Sequence, residues 1–116
     1  MDMIFDIKDS VMVAELFGEL DHHAAQTVRS DIDSAMAAYG AGDLVFDFTK
    51  VTFMDSAGIG VILGRYRKLA ETGGRVAITG CSQTVRSILN MAGVFSIVDY
   101  FCTRSEAIDY LIRKEA

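Results

Sequence analysis

Apolar and polar positions alternate over residues 4–8, and residues 11–17 form a largely apolar stretch that reads as a second strand. A period of two marks half-buried strands, and Ser10 between them predicts a turn, so the chain opens on a β-hairpin that Gly18 ends. The period then lengthens. Ala24, Val28, Ile32, Ala35 and Tyr39 recur at helical spacing, with Asp21 placed as N-cap and Gly40 and Gly42 closing the helix. Residues 44–48 form a short apolar run rich in β-branched and aromatic side chains, which predicts a buried strand that 51–54 extend toward a turn. A second helix follows over 56–72. Its apolar stripe is Ile59, Ile62, Leu63, Tyr66, Leu69 and Ala70, with Arg65, Arg67 and Lys68 on other faces, and Gly73-Gly74 stops it. Residues 75–79 predict a strand. Ser82 caps a third helix carrying Val85, Ile88, Leu89 and Met91, which Gly93 ends. Residues 95–98 predict a short edge strand, and 105–113 a final helix bearing Ala107, Ile108, Leu111 and Ile112.

The order ββαβαβα(β)α predicts an α/β fold. Its sheet is small, mixed and mostly parallel, with four to five strands, about four flanking helices and an N-terminal β-hairpin. A chain of 116 residues without repeats or linkers fits one domain, residues 1–116. That length buries enough surface for a core without disulfides or a structural metal. Sites in such sheets lie where strand ends meet helix N-termini.

Charge narrows the function. Sixteen acids against eleven bases give net −5, which leaves no basic footprint for a nucleic acid. The charge is uneven: residues 1–55 carry eleven acids and three bases, net −8, and residues 56–116 carry five acids and eight bases, net +3. Such a surface either keeps the protein soluble or meets a basic protein partner. No apolar run nears the roughly 18 residues that span a bilayer, and the acidic, alternating N-terminus is no secretory signal. A cytoplasmic location without membrane association is therefore expected. Cys81 and Cys102 lack CxxC spacing and His22-His23 lack ligand spacing, so neither a metal nor a cofactor is expected. The thiols read as reduced and largely buried.

Candidate chemistry concentrates in Phe53-Met54-Asp55-Ser56-Ala57-Gly58-Ile59-Gly60, between a strand end and a helix start. Phe53 and Met54 anchor it in the core, and Ser56 falls at the cap or first turn with its hydroxyl toward solvent. Gly58 and Gly60 each lower helix propensity by on the order of 1 kcal/mol relative to Ala. They imply either tight packing on the sheet or a close approach to the backbone. The segment has no GxGxxG, no P-loop Gly-Lys-Ser/Thr and no glycine two before the serine. A Ser56 hydrolase with His22 or His23 is the weakest reading, since no oxyanion-hole signature accompanies it. A serine at a helix N-terminus suits phosphorylation, because the dipole tolerates a dianion. Asp55 would repel that dianion, and Ala57 leaves Ser56 as the one acceptor in the motif. The second segment, Gly18-Glu19-Leu20-Asp21-His22-His23, reads by itself as a plain capping turn.

Together these two segments resemble the anti-sigma factor antagonists of the STAS domain family, and in particular their sporulation branch. The similarity runs through Val61-Ile62-Leu63-Gly64-Arg65-Tyr66, Gly73-Gly74 and Met91-Ala92-Gly93 along the chain. The resemblance implies a binding switch with no catalysis of its own, and a monomer is the default expectation. Unphosphorylated, such a protein binds an anti-sigma factor that is also an ATP-dependent serine kinase, and thereby frees the sigma factor. The kinase phosphorylates the serine after the motif aspartate, here Ser56, which ends tight binding, and a PP2C-type phosphatase restores it. Partner-binding residues are expected at Asp21, His22, Asp55, Ser56, Ala57, Gly58 and Ile59. Many relatives carry Ser or Thr where Ala57 stands. The alternative is a STAS scaffold or transporter-accessory subunit in which Ser56 is only a cap.

Overall fold

The N-terminal alternation forms the expected hairpin, but the strands run longer than the pattern suggests. In the computed structural model, which describes residues 1–115, β1 (Asp2–Lys8) and β2 (Val11–Leu20) pair antiparallel around Asp9 and Ser10. Gly18 does not end β2. It takes φ 104° inside the strand, next to one of two register shifts against the following strand, and β2 continues to Leu20. Such irregularities re-aim the end of a strand.

The chain continues as α1 (His22–Tyr39), β3 (Asp43–Met54), α2 (Ser56–Ala70), β4 (Val76–Thr79), α3 (Gln83–Met91), β5 (Asp99–Phe101) and α4 (Arg104–Glu115). The sheet order is β1-β2-β3-β4-β5, with every pair after the first parallel. Residues 44–48 and 51–54 are one continuous strand. Residues 95–98 are not a strand. Gly93, at φ 77°, turns the chain into a 3₁₀ turn at Val94–Ser96 that buries Val94, and the edge strand starts at Asp99.

Each parallel crossover advances the sheet in the same direction, and right-handed connections then lay their helices on one face. Helices α1, α2 and α3 accordingly cover Met12, Ala14, Leu16, Leu44, Phe46, Phe48 and Ile78. Helix α4 covers the opposite face, with Ala107 and Leu111 against Val11, Val13, Val45 and Ala77. Strand β3 is covered on both sides, which explains its near-continuous apolar run.

Three helix stripes differ from expectation. Helix α1 buries Ala25, Val28, Ile32 and Met36, while Tyr39, beside the Gly40 cap, is 58% exposed. Helix α2 buries Gly58, Val61, Ile62 and Arg65, with Ile59, Leu63, Tyr66 and Leu69 half-buried at the flanks and Ala70 exposed. Arg65 therefore lies on the packed face. In α3, Met91 leaves the stripe and is exposed.

A polar cluster ties α4 to the sheet. Arg104 donates through Nε and Nη2 to Asp47 Oδ2, at 3.1 and 2.7 Å, and through Nη1 to Asp6 at 3.0 Å, with Glu15 at 3.4 Å. The Thr49 hydroxyl and amide donate to Asp47 Oδ1 at 2.6 and 3.0 Å. Burial alone would push the Asp47 carboxyl up, but the Thr49 and Arg104 hydrogen bonds outweigh it and hold it below its ordinary 3.8. A depressed carboxylate stabilises the fold above its unfolded-state value, and that contribution is lost as pH falls through the folded value. Asp47→Asn is expected to cost about 2 kcal/mol at pH 7. Urea titrations at descending pH should show its gap to wild type closing only below about pH 3.8; a constant gap would refute this account.

Candidate functional site

Parallel strands end where the next helices begin, and neighbouring strands bring two such junctions together. β2 ends at Leu20 and Asp21 caps α1; β3 ends at Met54 and Asp55 caps α2. Leu20 and Met54 are register partners, so the two caps stand side by side. Asp21 Oδ1 accepts from the amides of His23 and Ala24, both at 3.0 Å. Asp55 Oδ1 accepts from the Ala57 amide at 2.9 Å, and its Oδ2 accepts from the His22 amide at 3.1 Å. One carboxylate thus satisfies an orphan donor at each of two helix starts.

The sequence placed Asp55 beside the serine and, through the resemblance, among the partner-binding residues, but not as a cap. Its cap, and its bond across to α1, come from the register of β2 on β3. Desolvation would raise the Asp55 carboxyl, but the amides of Ala57 and His22 outweigh it and hold it below its ordinary 3.8, so it is ionised at neutral pH. His22 Nδ1 lies 3.7 Å from the same oxygen, and its ring stacks at 3.9 Å on that of His23.

Ser56 is not the cap. It is the first residue of α2 and is exposed, immediately after the fixed Asp55 carboxylate. Ala57 and Ile59 are half-buried against the core. The two glycines separate. A Cβ on Gly58 would stand 2.5 Å from Met54 Cγ and 2.9 Å from the Leu20 carbonyl oxygen, so Gly58 lets α2 seat on the ends of β2 and β3. A Cβ on Gly60 would meet nothing within 4 Å, so Gly60 serves no packing need.

Met54 anchors the segment in the core at 1% exposure, but Phe53 does not. Its side chain is 46% exposed, although strand composition by itself read it as core. Together, residues 21, 22, 55, 56, 57 and 59 bring a hydroxyl, a fixed negative charge and half-buried apolar side chains to the paired helix starts.

Elsewhere, burial pushes the Cys81 thiol up to about 12, whereas Cys102 is exposed rather than buried. Among the described residues, no group of three or more His, Cys, Asp or Glu is arranged to hold a metal ion, and no helix is long and apolar enough to cross a membrane.

The STAS domain family model matches residues 2–107. The anti-sigma F factor antagonist of Paenibacillus polymyxa is 36% identical over 101 residues, covering 87% of this chain and 86% of that protein. The anti-sigma factor antagonist SpoIIAA in its unphosphorylated form superposes with a TM-score of 0.73 at 33% identity, over 94% of this chain and 96% of SpoIIAA. The phosphorylated form of the Bacillus cell fate determinant SpoIIAA gives the same TM-score and identity, over 94% and 98%.

The geometry separates the two glycines by experiment. Gly58→Ala is expected to destabilise by about 1–3 kcal/mol in urea denaturation, because its methyl overlaps Met54 and Leu20. Gly60→Ala is expected to stabilise by about 0.5–1 kcal/mol through helix propensity. Equal effects would remove the packing role assigned to Gly58.

Proposed function

The chain belongs to the STAS domain family and, within it, to the anti-sigma factor antagonists; on that basis we infer that it works as a protein-binding switch controlled at Ser56. The unphosphorylated form docks on an anti-sigma factor and so releases a sigma factor. The anti-sigma factor doubles as an ATP-dependent serine kinase that phosphorylates Ser56, and a PP2C-type phosphatase reverses the step. The protein is then a phosphorylation substrate and regulator, not a catalyst, and acts as a cytoplasmic monomer.

The observation that carries this reading is the position of Ser56, exposed at the first residue of α2 beside the Asp55 carboxylate that joins the two helix starts. Asp21, His22, Asp55, Ala57, Gly58 and Ile59 form the docking surface in this proposal. A phosphate on Ser56 adds about two negative charges next to one already held ionised. At a docked interface that charge would be desolvated and unpaired, which is costly. The switch therefore needs no refolding.

The test is incubation with a purified anti-sigma kinase, ATP and Mg²⁺, followed by intact mass and peptide mapping. One added phosphate is expected, absent in Ser56→Ala. Ser56→Asp should weaken kinase binding by roughly tenfold or more while circular dichroism stays unchanged. Phosphate elsewhere, or unchanged binding by Ser56→Asp, would favour a STAS scaffold without the switch.

A further inference from the structure

Further along α1 and α2, about 14 Å beyond Ser56 by helix rise, the two helices part around a cleft of about 290 Å³. Asp33, Met36, Ala41, Arg65, Lys68 and Leu69 line it. Arg65 forms part of its lining although its side chain is only 9% exposed. Its Nε lies 3.0 Å from Asp33 Oδ1, and Lys68 Nζ lies 3.3 Å from Asp33 Oδ2, so one carboxylate serves two cations. Arg65 Nη1 is buried with no hydrogen-bond partner. Arg29 stands close enough to add a further opposing positive charge, and Glu71, exposed, is the other acid at the cleft.

Helix packing alone does not call for this arrangement. A hydrophobic side chain of similar volume between two helices is commonly neutral or stabilising relative to a buried ion pair. A buried donor without an acceptor carries its full desolvation penalty. A guanidinium short of acceptors, with an ammonium beside it and methionine, alanine and leucine around it, matches an anion that has an apolar body. The volume is near the lower end for ligand pockets.

We propose that this cleft binds a small amphipathic carboxylate, its head on Arg65 and Lys68 and its hydrocarbon against Met36, Ala41 and Leu69. Nη1 lies beneath the cleft surface, so the head group meets it through a small turn of the guanidinium. The site is independent of the Ser56 switch.

The test is a titration of the ¹⁵N-labelled chain with sodium hexanoate and, separately, hexan-1-ol, read by amide chemical shifts. Hexanoate is expected to shift residues 33–41 and 65–72 saturably, and hexanol to bind roughly tenfold more weakly or less. Arg65→Met should keep a dispersed spectrum and lose that preference. Should it fail to fold, Lys68→Met carries the same comparison, since the Lys68 side chain is 60% exposed. Equal response to both probes, no saturable response in wild type, shifts centred elsewhere, or a preference that survives substitution would each overturn the proposal.

Discussion

The Asp55 carboxylate has two oxygens and serves two helices. One accepts from the second residue of its own helix, the other from the first residue of the helix before it. Neither bond is strong alone, yet together they fix the relative height of α1 and α2 at their N-termini. That constraint requires β2 to reach Leu20, which in turn requires Gly18 to adopt its positive φ and let the strand shift register. It also requires α2 to seat low on the sheet, which the missing side chain of Gly58 allows. The patch at the paired helix starts is thus the outcome of backbone geometry more than of any one functional group.

In the proposed switch, a patch built this way answers added charge without moving. The amides of His22, His23, Ala24 and Ala57 are committed to Asp21 and Asp55, so the positive helix ends are partly neutralised before any modification arrives. A phosphate on Ser56 would find part of the positive helix end already answered by Asp55. It would project outward, toward whatever approaches. A rigid surface with an adjustable charge suits binding that must be reversed repeatedly.

Much of this was legible in the chain. Asp21, Ser82 and Gly40 act at helix ends as their residue types predict, because capping is local chemistry. The strand–helix alternation gave the sheet, and Ser56 fell at a helix start. The misreadings share a physical origin. In α1, Ala24, Ala25, Ala35, Ala37 and Ala38 look alike to a hydrophobicity pattern, so the buried stripe could be phased wrongly while Met36, which does face the core, went unnoticed. Arg65 was placed off the apolar stripe because charge normally is, and Asp33 from another helix makes its burial tolerable. Phe53 read as core, because strand composition does not disclose which residue lies past the last covering helix. The bridge from Asp55 to His22 depends on register between strands separated by a helix, which no local pattern contains.

The sheet order repeats the order of synthesis: each strand's first new neighbour is the strand made before it. No strand waits for a distant partner, so loop closure is cheap at every step and contact order stays low for a mostly parallel sheet. The paired helix starts need only β2, α1, β3 and the beginning of α2. All of those residues are synthesised before the last two strands and α4, so the contacts that pair the two caps are among the first tertiary contacts within reach of the growing chain.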